Sequence, residues 1–380
     1  MSSPITVGFL SAQNYLDKNT FSGTLYYMYQ ALARRHDIHL IRLGKPQNPY
    51  PGYSKLSRFH KNNRFHLMEG DPHQPNEAKQ FVARIEAQLA KTPCDVIVAP
   101  VASKELYYLN LNTPVIYLSD VTFRLYETLY PLDLTPETRE FLEQTEVKAI
   151  ASSRHQVYSS DWAAQSAIHD YHANPDRVHV VPFGANIDTV PAETALQQRP
   201  APNPCRLLFI GKDWQRKGGF IAYDAFLALL EEGLDVELTM LGSVPPKDQP
   251  IQHPNLSIIP YLDKNIPKQR RQFEQLLLQS HFLLFPTRAD CSPIAICEAN
   301  AYGLPVVAAQ VGGIPSLITA GQNGYSLPLE ATGADYARLI ADVVASPEHY
   351  HGLSQRARQE YDQRLNWDAW AGRIRDLMVA

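Results

Sequence analysis

Asp290-Cys-Ser-Pro-Ile-Ala-Ile-Cys-Glu298-Ala-Asn-Ala-Tyr-Gly303-Leu-Pro305-Val-Val is the stretch on which the reading of this chain turns. The run before it, Phe282-Leu-Leu-Phe285, is short, continuous and apolar, the pattern of a strand buried on both faces of a parallel sheet. A helix-compatible segment continues to Gly303, Pro305-Val-Val-Ala-Ala restarts a strand, and Gly312-Gly313-Ile-Pro follows. This order puts Asp290 on the loop after one strand and Glu298 in the next helix. Both acids then lie near the carboxyl edge of the sheet, where open α/β sheets bind ligands. A carboxylate there is a bidentate acceptor for a pair of sugar hydroxyls. The plainer readings are an N-cap for Asp290 and a charged helix flank for Glu298. Neither explains why the two acids come with Gly303-Leu-Pro305 and Gly312-Gly313. The stretch implies an enzyme that grips a phosphorylated or sugar-bearing ligand.

A second motif stands upstream. Arg206-Leu-Leu-Phe-Ile-Gly211 reads as a strand, and Lys212-Asp-Trp-Gln-Arg216-Lys217-Gly218-Gly219 leads into a helix expected from Lys217 to Glu232. Three cations among glycines at a helix mouth suit a diphosphate whose charge grows as a bond to it breaks. The alternative is a solvated Lys/Arg loop. The spacing matches neither a Walker A loop nor the Gly-x-Gly-x-x-Gly dinucleotide fingerprint.

The first half repeats the strand–helix alternation. Ile5–Leu10, His39–Leu43, Asp95–Pro100, Pro114–Ser119, Ala149–Ser152 and Val178–Gly184 read as strands, with helices near Thr24–Arg35, Glu77–Ala90 and Trp162. Gly23, after Phe21-Ser22, stands at a strand-to-helix turn where backbone N–H groups can approach an anion, although one such glycine also fits a plain turn. Asp120 ends the strand Pro114–Ser119. Residues 185–204 hold Pro191, Pro200, Pro202 and Pro204 with little periodicity, the composition of a linker. Strands at Val236–Gly242 and Leu256–Tyr261, a helix around Gln272 and a last helix from Asn366 complete the second half. The fold class is therefore α/β, two doubly wound parallel-sheet domains: 1–184, a linker 185–204, 205–365, and a final helix 366–380.

Composition sets outer limits. The chain has 380 residues, 44% hydrophobic and 19% charged, as in a soluble globular protein long enough for two cores. A formal net charge of −4 argues against general nucleic-acid binding. Between Arg34 and Arg64, eight Lys or Arg face the single acid Asp37, either as a solvated loop or as a surface for an anionic acceptor or acidic lipid. The segment Lys45–Pro75 is long for a connection, and such loops are often functional. Four cysteines without a CxxC pair argue against a disulfide framework or a zinc site. The start reads as a first strand rather than a signal peptide, and no apolar run approaches a membrane span. The expectation is a cytoplasmic protein, with peripheral contact at an anionic membrane left open.

Together these motifs resemble a retaining glycosyltransferase of family 4, strongest from Phe209 to Leu329. That family carries Glu, seven residues, Glu, then Ala-x-Ala-x-Gly-x-Pro-Val-Val and a Gly-Gly loop. The resemblance implies two facing Rossmann-like domains (GT-B), the first on the acceptor side, the second on the donor side, with the last helix returning to the first. It implies that Glu298 holds the ribose of a nucleotide-sugar and Asp290 meets hydroxyls of the transferred sugar. Backbone around Ser292, Pro293 and Ile294 would approach sugar and diphosphate, with Gly313 beside it, although Pro293 has no N–H to offer. Gly211, Lys212, Arg216 and Lys217 would clamp the leaving diphosphate, Tyr261 and Leu262 would lie in the base loop, and Ser22-Gly23 would face the diphosphate. Three departures stand out. Asp290 is one methylene shorter than the usual Glu. Lys212 replaces Arg, and a point charge does not reproduce a planar fork. Asp120 stands where the family often has His near the donor sugar, either as a carboxylate that stabilises an oxocarbenium-like transition state or positions the acceptor, or as a turn residue.

The implied activity is transfer of a sugar from a UDP- or GDP-sugar to a hydroxyl of a glycan, lipid-linked sugar or small molecule, with retained configuration. No Asp-x-Asp triad occurs, so no metal cofactor is expected. An epimerase or hydrolase on the same fold, and a non-catalytic sugar-nucleotide-binding subunit, are the competing readings. Tyrosines of the first half, among them Tyr26, Tyr27, Tyr29, Tyr107, Tyr108, Tyr117, Tyr126 and Tyr130, are read mainly as core.

Overall fold

The computed structural model describes residues 3–44 and 75–380. The chain divides into two units: 1–181 together with 371–380, and 182–370. Each is an α/β unit built on a parallel sheet with six described strands.

In the first unit the order is β1 (Ile5–Leu10), α1 (Thr24–Ala33), β2 (Ile38–Leu43), α2 (Pro75–Lys91), β3 (Val96–Pro100), α3 (Ser103–Tyr108) and β4 (Val115–Ser119). Then come α4 (Phe123–Leu129), α5 (Pro136–Ser152), β5 (His155–Tyr158), α6 (Asp161–Asp170) and β6 (Val178–Val180). The sheet order is β2-β1-β3-β4-β5-β6, so the strand order reverses between β1 and β3. All five residues of β3 and of β4 are buried, as helices on both faces require. Of the eight tyrosines read mainly as core, Tyr27, Tyr29, Tyr117 and Tyr126 are buried.

One strand assignment is corrected. Ala149–Ser152 is the last turn of α5, and the strand is the less apolar His155-Gln-Val-Tyr158. A four-residue apolar run fits a strand or a helix end equally well, and here the buried Gln156 decides. Its amide donates to the carbonyls of Ile150 and Ser153, both at 2.9 Å, closing the helix and starting the strand.

The second unit runs α7 (Glu193–Gln197), β7 (Cys205–Ile210), α8 (Gly219–Glu231), β8 (Val236–Leu241), β9 (Leu256–Ile259), α9 (Pro267–Gln279), β10 (Phe282–Phe285) and α10 (Ile294–Ala301). It continues through β11 (Val306–Ala309), β12 (Gly324–Leu327), α11 (Gly333–Val344) and α12 (Pro347–Gln363) to α13 (Trp367–Val379). The sheet order is β12-β11-β10-β7-β8-β9, with its reversal between β7 and β10. β10 and β11 are buried throughout and pair in register Leu283↔Val306 to Phe285↔Ala308. α9 and α10 cover one face through Phe273, Leu277, Ile296 and Cys297. α8, α11 and α12 cover the other through Phe226, Ile340 and Leu353.

Residues 185–204, expected as a linker, group with the second unit. The anchor is Arg199, buried and donating to the carbonyls of Gly303 at 2.9 Å and Leu278 at 3.2 Å. Proline content signals irregular backbone, but a buried guanidinium with carbonyl partners ties that backbone down. Residues 371–380, most of α13 and the residue after it, group with the first unit, where Arg375 donates to Asp37 at 2.8 Å. All four cysteines are free. Among the described residues no helix is long and apolar enough to cross a membrane. Lys45, Lys55, Arg58, Lys61 and Arg64, most of the basic stretch, lie outside the described residues.

Candidate functional site

The reversal between β7 and β10 brings two loops of the second unit side by side. The first, 211–218, leaves β7 and enters α8. Gly218 makes its turn possible: its φ is +75°, and a Cβ there would sit 2.1 Å from the carbonyl oxygen of Pro286, just after β10. The two loops are further stitched by Arg288 N–H donating to the Arg216 carbonyl at 2.7 Å and by the Arg216 guanidinium donating to the Ala289 carbonyl at 2.9 Å. Gly211 has the complementary duty. A Cβ there would lie 2.6 Å from Cγ of Lys217, so the glycine leaves a channel for the lysine side chain.

That side chain ends in an ion pair with Asp290, both partners largely buried, at 12% and 11% side-chain exposure. Thr287 Oγ1 lies 3.3 Å from the same carboxylate oxygen of Asp290. Burial pushes the Lys217 ammonium below its ordinary pKa, and Asp290 opposes the shift. Breaking one side of such a pair strands a buried charge, a cost of about 3–5 kcal/mol. Lys217 and Asp290, 73 residues apart in sequence, are thus one unit of the site.

Glu298 forms the second pair. It sits in α10 with its side chain 3% exposed, and its partner is Lys264, in the loop between β9 and α9. Burial raises the Glu298 pKa and Lys264 counteracts the rise. Sequence reasoning identified the acid and missed its lysine. The only sequence signal was a cation three residues beyond Tyr261, at the end of the loop already expected to matter. Tyr261 is 49% exposed, and Lys212, also exposed, has its ammonium 6.0 Å from the tyrosine ring centre. Leu262 is partly buried against the core. Ser292, Pro293 and Ile294 form the entry to α10, with Pro293 as its N-cap, so helix-terminal amides stand beside Asp290. Gly313 is buried and opens a short 3-10 turn after β11.

Ser22, Gly23 and Asp120 belong to the first unit. Phe21, Ser22 and Gly23 take φ of 50°, 56° and 89°, three successive left-handed residues at the mouth of α1. They follow β1, beside the point where that sheet reverses. Asp120 is buried directly after β4. Among the described residues there is no group of three or more His, Cys, Asp or Glu able to hold a metal ion.

Residues 204–346 match the family model of glycosyl transferases group 1. The chain is 27% identical over 248 residues to a D-inositol 3-phosphate glycosyltransferase of Xylanimonas cellulosilytica, covering 61% of this chain and 58% of that protein. It thus spans little more than half the length of the curated relatives it matches. Sucrose-phosphate synthase from Thermosynechococcus elongatus superposes with a TM-score of 0.68 at 16% identity, over 99% of this chain and 98% of the other. Anabaena HepE in complex with UDP and glucose superposes with a TM-score of 0.63 at 16% identity, over 99% and 100%. These likenesses show the fold, the two-sheet GT-B kind. The family model falls on the unit that carries both ion pairs.

Proposed function

We propose that the protein is a glycosyltransferase that moves a sugar from a nucleoside-diphosphate donor to a hydroxyl acceptor with retained anomeric configuration. The observation that carries this reading is the pair of lysine–carboxylate contacts at one carboxyl sheet edge, Lys217–Asp290 and Lys264–Glu298, within the segment that matches the group 1 model. HepE, whose fold is shared, was solved with UDP and glucose, which supports a UDP-sugar among the donors to try first.

In the reaction, the bond between the anomeric carbon and the β-phosphate oxygen breaks, and the acceptor oxygen bonds to the same carbon from the same face. The acceptor proton passes to the departing diphosphate. Negative charge grows on that diphosphate, and Lys217, with Arg216 and Lys212 nearby, stabilises it; one well-placed group is worth about 3–4 kcal/mol. Asp290 and Thr287 hold Lys217 in position. Glu298 accepts from the ribose hydroxyls, and the amides at the start of α10 and α8 complete the anion site. Charge supplied by side chains and amides is expected to make activity survive EDTA. Ser22-Gly23 are assigned to the diphosphate and Asp120 to the sugar or the acceptor, which is a glycan, lipid-linked sugar or small hydroxylated molecule.

The test is product analysis by NMR after incubation with UDP-, GDP- and ADP-sugars, with and without a panel of hydroxyl acceptors. A new α-glycoside formed from an α-linked donor supports the reading. Release of free sugar at the same rate with every acceptor makes it a hydrolase, and a changed sugar on an intact nucleotide makes it an epimerase. Nucleotide binding without turnover makes it a binding subunit.

A further inference from the structure

Lys264 is far from Glu298 by every local measure: 34 residues away, and on a loop leaving β9, which β7 and β8 separate from the β10 that leads to α10. The contact exists because its backbone and its side chain are both held. On the backbone, Asp263 N–H donates to the Gln269 side chain at 2.6 Å, Asn265 N–H to the Asp263 side chain at 2.9 Å, and Ile266 N–H to the Asp263 carbonyl at 3.0 Å. On the side chain, the ammonium lies 4.2 Å from the ring centre of the buried Phe273, with the Glu298 carboxylate as its other partner. An aromatic face and a carboxylate fix a flexible lysine better than either alone. Only one carboxylate oxygen, Oε1, takes the ammonium.

We propose that Lys264 is a positioning residue of the donor site, holding the Glu298 carboxylate ionised and in one orientation for the ribose hydroxyls of the nucleotide. This rests on the donor-site reading above. The other titratable groups around Glu298 do not supply the same service. Cys297 beside it and Tyr302 one turn on are themselves pushed up, by burial first and with Glu298 adding to the rise, and Glu274 in α9 is a further acid acting on Tyr302. Arg364 acts on Cys297. Lys264 is the cation that the structure puts in contact with the carboxylate. Without it, burial leaves Glu298 protonated over a wider range of pH, and a protonated carboxyl gives up part of its acceptor capacity and gains an O–H donor.

The experiment is calorimetric titration of UDP, GDP and ADP into the full chain between pH 6 and pH 9. Wild type, Lys264→Met, Lys264→Gln, Lys264→Arg, Glu298→Gln and the Lys264→Met/Glu298→Gln double variant are compared. The expectation is a nucleotide affinity about tenfold weaker at pH 7 in Lys264→Met, recovering as pH rises and the carboxylate ionises unaided. Lys264→Gln, a smaller change in polarity, gives the same readout, and Lys264→Arg restores most of the affinity. In the Glu298→Gln background, adding Lys264→Met costs nothing further. Equal losses from Lys264→Met in both backgrounds, or a pH-independent loss, overturn the inference while the donor-site reading stands. Glu298→Gln binding every nucleotide as wild type does overturns the donor-site reading itself.

Discussion

The two units use one architecture and equip it differently. Each is a parallel sheet whose order reverses once, between β1 and β3 in the first and between β7 and β10 in the second. At the second reversal and around it, half-buried lysines meet buried carboxylates, and glycine lets the loops of the Lys217–Asp290 pair close together. At the first, the loop after β1 carries Asp17 and Lys18, the lysine ammonium 4.9 Å from the Tyr26 ring centre, and ends in three uncharged left-handed residues, Phe21, Ser22 and Gly23, entering α1. A shared fold thus offers two carboxyl edges, and the lysine–carboxylate pairs stand at the second, the edge proposed above to take the diphosphate. The first edge presents the backbone of Ser22-Gly23 at a helix mouth, which suits an anion, and the buried carboxylate of Asp120, which suits hydroxyls.

The largest effect that breaks or keeps this contrast is expected at Lys217. Lys217→Ala should lower the transfer rate by about 100- to 1,000-fold, measured as initial rates of product formation. Turnover at the wild-type rate would remove the charged edge from the chemistry. Next, Gly218→Ala forces a Cβ into a left-handed turn against the Pro286 carbonyl, and urea unfolding should show a loss of about 3 kcal/mol. An unchanged midpoint would mean that the two loops do not depend on that close approach.

Asp120→Asn sharpens the contrast from the other side. If Asp120 serves sugar or acceptor and not phosphate, this variant lowers kcat by about tenfold while UDP affinity stays within about twofold. A collapse of UDP affinity instead would put Asp120 on the nucleotide. The smallest effect is expected at Asp37. Hydrogen bonds from Arg35 and Arg375 hold its carboxyl down at about 2. Its depressed folded pKa stabilises the first unit above the ordinary 3.8, and that contribution disappears as pH falls from there toward 2. The side chain is 40% exposed, so solvent screens the pairing. Asp37→Asn should therefore cost about 0.5 kcal/mol at pH 7 in thermal unfolding, a cost that fades as pH falls through about 2. A larger loss would make this charge a main anchor of the last helix.

What the sequence discloses follows from what is local. Phe282–Phe285 and Val306–Ala309 are legible because a strand buried on both faces must be apolar throughout. Lys217, Asp290 and Glu298 are legible because each stands at a fixed distance from such a strand. His155–Tyr158 was not, since its Gln156 is polar for a reason that only the folded neighbour, the end of α5, supplies. Arg199 likewise looks like part of a solvated linker until the carbonyls of Leu278 and Gly303 are brought to it. Lys264 is the instructive omission. Tyr261 and Leu262 mark its loop in the sequence, whereas its pairing with Glu298 depends on a tertiary arrangement that spacing does not encode.

The measurement that bears most directly on the contrast between the two edges is amide hydrogen exchange with and without whichever of UDP, GDP and ADP binds. Protection concentrated in residues 211–219, 261–266 and 287–298 is the result expected if the second edge holds the nucleotide. Protection confined to residues 11–24 and 119–124, with the second edge unchanged, would contradict it.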